Sequence, residues 1–141
     1  MDLMSMLGKD FADEYPEAVI PPPSFVESGA QIFEYQPGKS LVVRFVVRER
    51  QTGPLLILQG GLLDDVFGPL SIAIAKKPCM SVDMNVTFVR AAKTGETLTI
   101  RAEFISKTNK LFQMRAEAHY EQGKLVATAT SNLMVYEGPR L

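Results

Sequence analysis

The chain has 141 residues, and its 15 lysines and arginines nearly balance its 16 aspartates and glutamates. A chain of this length buries about two thirds of its unfolded surface around a single core, and a net charge of −1 gives no general attraction for nucleic acid or an anionic membrane. One cysteine and one histidine exclude an intramolecular disulfide and the common His/Cys zinc sites. With no apolar run of signal or membrane-spanning length, we expect a cytoplasmic protein without a metal, nucleic-acid or membrane partner.

The start of the chain predicts a short helix followed by a connector. Leu3, Leu7 and Phe11 recur at helical spacing, so residues 2–15 are expected to form an amphipathic helix. The PPPSF segment at 21–25 carries too many prolines for a helix or a central strand. We expect it to be extended, either as a spacer or as a lid over a pocket.

Residues 31–49 show the two-residue period of a pair of strands. The apolar side chains on one side of the second strand are Leu41, Val43, Phe45 and Val47. We expect strands near 31–36 and 40–49 that form a hairpin around the PGK turn.

Residues 60–75 break this alternation. Their apolar side chains are Leu62, Leu63, Val66, Phe67, Leu70, Ile72, Ala73 and Ile74. These positions cover most of the circumference of a helix, which predicts a buried helix at the centre of the core. Pro69 should kink that helix just after Asp65, because proline clashes with the carbonyl four residues before it.

The two-residue period returns after Pro78 and continues through four strands. Their apolar faces begin at Val82, Leu98, Phe112 and Leu125. Since the joints AAKTGE, SKTNK and EQGK are short and polar, successive strands are expected to be antiparallel neighbours. One apolar helix and these strands predict an α+β fold in which a curved antiparallel sheet wraps around the central helix.

Further apolar residues fall on the opposite, outer face of the predicted sheet. They are Val42, Val46, Ile105, Val126 and Met134. Such residues on an otherwise polar face indicate association between copies, so we expect a homodimer at least. The single histidine, His119, lies among polar residues and is expected to be solvated, and Cys79 is expected to be a small buried residue.

Five short segments together resemble one protein family. They are LQGGLLDDVFGPL at 58–70, SVDMN at 81–85, FVR at 88–90, GETL at 95–98 and GKLVATA at 123–129. In this order they resemble the hotdog-fold acyl-CoA thioesterases, in particular the PaaI-like branch of the 4-hydroxybenzoyl-CoA thioesterase superfamily. The resemblance implies a single hotdog domain over 1–141, with its core at 30–136 after an N-terminal helix and connector at 1–25.

The resemblance also implies an activity, the hydrolysis of an acyl-CoA to a free acid and CoA. In this family the active sites are shared between two protomers, so a homodimer or homotetramer is expected. Coenzyme A enters as part of the substrate, and no separate cofactor is implied.

Residue roles follow from the same resemblance. Family members use a backbone N–H at a glycine pair to polarise the thioester carbonyl, and Gln59, Gly60 and Gly61 match that segment. An acidic residue on the same helix serves as general base or nucleophile, and Asp64 matches it. Ser81 matches the Ser or Thr on the next strand that assists.

Asp65 and Arg90 are further candidates for substrate binding. Adjacent helical residues point about 100° apart, so Asp64 and Asp65 cannot both face one pocket. Either one is catalytic and the other paired or solvated, or both flank an exposed helix end. Arg90 lies after a predicted strand end, where it meets CoA phosphates or solvent.

The segment between the glycines and the acid is short. Four residues separate Gln59 from Asp64, about one helical turn fewer than in most family members. Either the helix starts at the glycines and the acid lies about 6 Å nearer to that start, or the helix begins near Pro54 and the donor lies near Leu55. The alternative to a thioesterase is therefore a hotdog protein that binds an acyl thioester or fatty acyl group without cleaving it. A purely structural subunit is a third possibility.

Overall fold

The computed structural model describes residues 6–7, 9–19, 22–55 and 61–136. In these ranges the helices are α1 (Lys9–Glu14), α2 (Pro23–Ser28) and α3 (Gly61–Ala75), and a 3₁₀ turn covers Glu49–Gln51. The strands are β1 (Gln31–Gln36), β2 (Ser40–Val46), β3 (Cys79–Phe88), β4 (Thr97–Lys107), β5 (Leu111–Tyr120) and β6 (Leu125–Val135). No helix in these ranges is long and apolar enough to cross a membrane.

The strands form an antiparallel sheet in the order β1-β2-β4-β5-β6-β3. Helix α3 contacts β2 through β6, and we call the sheet face that it covers the inner face. This arrangement confirms the predicted α+β architecture, with the hairpin around PGK and the apolar helix at the centre.

The inner face of the sheet and α3 have complementary side-chain sizes. Paired alanines lie in the middle of β4, β5 and β6: Ala102, Ala116, Ala118, Ala127 and Ala129. Large side chains of the helix, Phe67 and Leu70, are fully buried in the same core. Small residues on the sheet leave room for large ones on the helix, as close packing requires.

The joint between β3 and β4 does not form a hairpin, so the prediction that all successive strands are neighbours was wrong here. β3 pairs with β6, whereas β4 lies between β2 and β5. The joint at 89–96 starts where the Val89 amide donates to the Val126 carbonyl, and it ends where the Gly95 amide donates to the Val47 carbonyl. Eight extended residues span about 26 Å, more than the roughly 14 Å of three strand spacings. Loop length alone therefore did not determine the pairing.

The proline-rich connector was expected to be extended, but α2 begins inside it. Pro23 occupies the first turn of this helix, where the missing amide hydrogen has no helical partner to lose. Phe25 of α2 is buried in the core beside residues of the N-terminal segment, Met6, Leu7 and Phe11. The helical residues 9–14 lie within the predicted range 2–15.

Two of the five residues assigned to an exposed outer face are buried. Val42 is 6% exposed and Val126 is 0% exposed. Val42 lies between Glu34 and Arg101 in the strand register, and these two residues form an ion pair at 3.6 Å across it. Val126 is the extra residue of a bulge, since Ala127 lies opposite Ala118 and Leu125 lies opposite His119, and its side chain belongs to the buried core. The other three, Val46, Ile105 and Met134, are exposed as expected.

Gly29 gives a test of how the connector is fixed. Its φ is +72°, and a Cβ at this position would overlap the guanidinium of Arg48, which donates to the Glu27 carbonyl at 2.7 Å. Gly38 has a similar φ of +73° but open space around it. We expect Gly38→Ala to lower the free energy of unfolding by about 1 kcal/mol through left-handed strain.

Gly29→Ala should lower the free energy of unfolding more than Gly38→Ala does, because the overlap with Arg48 adds to the same left-handed strain. Urea unfolding of both variants measures the difference. Equal losses would show that Arg48 moves aside freely and does not fix the connector.

Candidate active site

The backbone of α3 carries the predicted acidic residues. Asp64 and Asp65 are the fourth and fifth residues of the Gly61–Ala75 helix. The side chains of residues 61–66 lie outside the described part of the structure, as do Gln59 and Gly60 entirely. Pro54 and Leu55 form a turn, so the helix does not include these two residues. Residues 56–60 lie outside the described part of the structure, so a helix start just before the glycines stays a prediction. Pro69 lies inside α3 and gives no N–H to the Asp65 carbonyl.

Ser81 lies on β3, next to a β-bulge. In the pairing with β6, Ser81 faces Leu133 and Asp83 faces Asn132, so Val82 is an extra residue without a partner. Directly opposed residues point to the same side of a sheet, and Leu133 is buried in the core. Ser81 therefore lies on the inner face, the face that α3 covers.

This placement corrects the predicted strand pattern. Simple alternation put Ser81 on one side with Asp83 and Asn85, but one extra residue reverses the sides before it. Met84, Val86 and Phe88 follow the bulge on the inner face, opposite Ser131, Ala129 and Ala127. The bulge thus brings Ser81 to the same side of the sheet as the helix that carries Asp64.

Hydrogen bonds from β6 hold the bulge. The carboxylate of Asp83 accepts the backbone N–H of Asn132 at 3.2 Å and its side-chain amide at 3.1 Å. The buried hydroxyl of Ser131 donates to the Asp83 carbonyl at 2.7 Å. Asp83 was not among the predicted site residues, and its place beside the bulge that turns Ser81 inward is apparent only from the register.

Cys79 and Ser71 join the end of α3 to the start of β3. Cys79 lies opposite Val135, on the inner face. Burial raises the pKa of the Cys79 thiol, and a hydrogen bond with the fully buried Ser71 partly opposes that shift. This cysteine is half-buried, in partial agreement with the predicted small buried residue.

Arg90 lies at the far end of β3 from Ser81. Arg90 follows Ser81 by nine positions in sequence, which corresponds to roughly 30 Å of extended chain. The Arg90 guanidinium donates to the Leu125 carbonyl at 2.7 Å, so it also anchors the crossing joint to β6. Within one chain the structure does not bring Arg90 and Ser81 together.

The outer face of the sheet carries charged pairs. His119 is 3.7 Å from the Glu117 carboxylate, and Arg115 contacts Glu103 at 3.2 Å. An open cleft of about 310 Å³ beside the β1–β2 turn is lined by residues that include Ser40 and Arg101. It borders β4, three strand spacings from β3, and is separate from Ser81. Within the described ranges, no group of His, Cys, Asp and Glu side chains could hold a metal ion.

The edge strand β3 exposes apolar side chains. They are Met80, Val82 and Phe88, followed by Val89 at the start of the crossing joint. β3 is the last strand of the sheet, so its outer backbone edge has no neighbour among the described residues. Ser81 is exposed at this same edge.

Comparison with known proteins identifies the family. The model of the thioesterase superfamily matches residues 61–127, which include α3, β3 and β4. Mouse acyl-coenzyme A thioesterase 13 is 32% identical over 95 residues, covering 63% of this chain and 68% of that protein. The chain belongs to the thioesterase superfamily.

Solved structures agree with this assignment. A phenylacetic acid degradation-related protein from Ralstonia eutropha is 30% identical with a TM-score of 0.71, covering 89% of this chain and 98% of that one. A hypothetical thioesterase from Streptococcus pneumoniae, solved with coenzyme A, is 22% identical with a TM-score of 0.69, covering 79% of this chain and 91% of that one. The predicted hotdog fold and PaaI-like resemblance are confirmed.

The reactivity of Cys79 tests the junction between α3 and β3. Because burial raises the pKa of this thiol, we expect it to react with iodoacetamide at pH 8 more slowly in the folded chain than in urea. Ser71→Ala removes the hydrogen bond that favours the thiolate, so alkylation should slow further. Alkylation rates measured across pH 7–10 give the shift directly. Faster alkylation of the Ser71→Ala chain would show that Ser71 only shields the thiol.

Proposed function

We propose that this protein hydrolyses acyl-CoA thioesters to a free acid and CoA, with Asp64 as general base or nucleophile. The observation that carries the proposal is the placement of Ser81 on the inner face of β3, on the side of the helix that bears Asp64. Membership of the thioesterase superfamily supports the reaction class. In this proposal the carboxylate and the hydroxyl approach one thioester from two different elements.

The chemistry needs a donor at the carbonyl oxygen and a base near the carbonyl carbon. A thioester is already activated, since sulfur donates weakly into the carbonyl and a thiolate leaves easily. Free N–H groups at the start of a helix point toward an approaching oxygen, and we assign this role to the amides near Gly60. Loss of one such donor costs about 3 kcal/mol of barrier. Gln59 and Gly61 flank the donor and contact the substrate.

The carboxylate then acts on water or directly on the carbonyl carbon. A positioned general base contributes about 10²- to 10⁴-fold. Ser81 holds the attacking water through its hydroxyl, which both donates and accepts. Asp65 points about 100° away from Asp64 on the helix, so it contacts the substrate or solvent without taking the proton.

Arg90 is proposed to meet the phosphates of CoA. One of its guanidinium nitrogens donates to the Leu125 carbonyl, and a guanidinium has five N–H donors in total. The remaining donors are available to phosphate oxygens. Crystallisation of the Streptococcus pneumoniae relative with coenzyme A supports CoA as the carrier of the acyl group.

The proposed assembly is a dimer through the β3 edge. An edge strand with unpaired backbone groups is a template for another strand, and β3 adds exposed apolar side chains to that edge. Pairing through β3 would place Ser81 at the boundary between two copies. Arg90 and Ser81 of one chain are far apart along β3. A site shared between two copies would let Arg90 of one copy approach Ser81 of the other.

A second function is a hotdog protein that binds acyl thioesters or fatty acyl groups without cleaving them. The specific observation in its favour is the four-residue separation of Gln59 from Asp64. Loss of one helical turn moves the acid about 6 Å along the helix axis, enough to separate it from the carbonyl carbon. Tight acyl-CoA binding without release of free thiol, for every chain length tested, would support this function.

Substitution of the two aspartates tests the proposed base. We expect Asp64→Asn to lower kcat at least about 10²-fold, as loss of a general base does, whereas Asp65→Asn should retain most of the activity. Free thiol release from a panel of acyl-CoAs, from acetyl to long-chain and aromatic, measures both. An Asp64→Asn enzyme as fast as the parent would remove Asp64 from the mechanism.

Val82 tests the proposed dimer. Val82 is 55% exposed on the edge strand, and Val46 is 50% exposed on the outer face of β2. Lysine on an edge strand opposes strand pairing, so Val82→Lys should weaken the dimer at least about tenfold, which is about 1.4 kcal/mol. Sedimentation of the 15.6 kDa chain across a concentration series gives the association constant.

Val46→Lys is the matched control, because it adds the same charge to an equally exposed valine away from the β3 edge. Its association constant should equal that of the parent. Equal weakening by both substitutions would indicate that the outer face forms the interface.

A further inference from the structure

The bulge at Val82 determines where Ser81 points. Side chains alternate along a strand, so one inserted residue reverses the faces of everything on one side of it. Without the insertion, Ser81 would share the outer face with Asp83, Asn85 and Thr87. A side chain that stabilises the bulge therefore also determines the face of the sheet on which Ser81 lies.

Asp83 adds a side-chain acceptor for β6 next to the bulge. In a regular antiparallel ladder, a backbone N–H of β6 that points toward β3 meets a β3 carbonyl. At the bulge, the N–H of Asn132 donates to the Asp83 carboxylate at 3.2 Å. The side-chain amide of Asn132 spans both carboxylate oxygens at 3.1 Å. Hydrogen bonds to an ionised acceptor are about twice as strong as neutral ones.

A second contact fixes the same peptide from the opposite face. Ser131 is 1% exposed, and its hydroxyl donates to the Asp83 carbonyl at 2.7 Å. Asp83 is thus held through its side chain by Asn132 and through its backbone by Ser131. Both partners belong to β6, so the hold on the bulge comes from across the strand pair.

Asp83 itself does not face the proposed chemistry. It lies opposite Asn132, on the outer face, while Ser81 lies opposite the buried Leu133 on the inner face. An effect of Asp83 on the reaction must therefore pass through the register of β3.

We infer that Asp83 is a positioning residue, whose bonds to Asn132 maintain the Val82 bulge and so hold Ser81 on the inner face. The catalytic part of this inference rests on the proposed thioesterase function. The structural part, the maintenance of the register, does not depend on it.

A double-mutant cycle between Ser81 and Asp83 tests the catalytic part. We expect Ser81→Ala and Asp83→Ala each to lower kcat for acyl-CoA, and the double variant to be no slower than Ser81→Ala alone. A group that acts through another adds nothing once that group is absent. Multiplying losses in the double variant, or an Asp83→Ala enzyme as fast as the parent, would overturn the inference.

An exchanged pair protects this test against simple loss of folding. Asn132→Asp alone places two carboxylates together and should lower kcat. Asp83→Asn with Asn132→Asp restores an amide facing a carboxylate, and its kcat should recover toward that of the parent. Thr87→Ala, on the outer face of the same strand beyond the bulge, serves as the control and should leave kcat unchanged. Lack of recovery in a folded exchanged pair would count against the inference.

A measurement of register separates failure of this inference from failure of the proposed function. In the parent, NMR cross-strand contacts should connect Ser81 with Leu133 and Asp83 with Asn132. We expect Asp83→Ala to weaken the contact between Ser81 and Leu133 relative to the contacts around Val86. If the parent shows no turnover, the proposed function fails, and this spectrum alone decides the role of Asp83. Full retention of the contact between Ser81 and Leu133 would overturn it.

Discussion

The need to cover an almost entirely apolar helix determines most of this fold. A helix that is apolar around most of its circumference is stable in water only when neighbours surround it. The sheet provides most of that cover, since α3 contacts β2 through β6. Residues from the N-terminal segment and α2, such as Phe11 and Phe25, belong to the same buried cluster. The cover also explains the strand order, because the chain must leave α3 at one edge of the sheet and cross to β4 to complete the wrap.

The same constraint leaves β3 at the edge, where the proposed interface and the proposed chemistry coincide. β3 directly follows α3, and its first residue, Cys79, forms a hydrogen bond with Ser71 of the helix. Its inner face points toward the helix, while its outer backbone edge is unpaired among the described residues. In the proposed mechanism, a substrate that approaches this edge meets residues of the strand and of the helix together. An exposed edge that would otherwise be a liability thus becomes the place where the proposed functional groups meet.

Sequence periodicity predicted the elements well and their relations less well. The apolar helix and the alternating strands were correct because each is a local signal, repeated over many residues. The prediction that the joint at 89–96 connects neighbouring strands was wrong, because an eight-residue loop fits both a hairpin and a crossing connection. α2 was missed because prolines were counted as breakers, although Pro23 lies in the first turn, where proline is favourable.

The orientation of Ser81 was beyond sequence reasoning for a different reason. The letters SVDMN alternate regularly, and the bulge inside them depends on bonds from Asn132, 49 residues after Asp83. A pattern within β3 contains no information about a partner on β6. The one available signal was an aspartate and an asparagine on two predicted outer faces, which is too common to indicate a bulge.

The proposed site therefore depends on two local irregularities in an otherwise regular fold. The shortened segment before Asp64 sets how far the acid lies from the helix start, and the Val82 bulge sets which way Ser81 points. A helix position changes in steps of 1.5 Å and 100°, whereas a strand position changes face with every residue. An inserted or deleted residue in β3 thus removes Ser81 from the inner face altogether, while a lost helical turn mainly moves Asp64 along the axis. The strand therefore tolerates less change than the helix. In our inference, the hydrogen bonds between Asp83 and Asn132 protect the orientation of Ser81 against such a change.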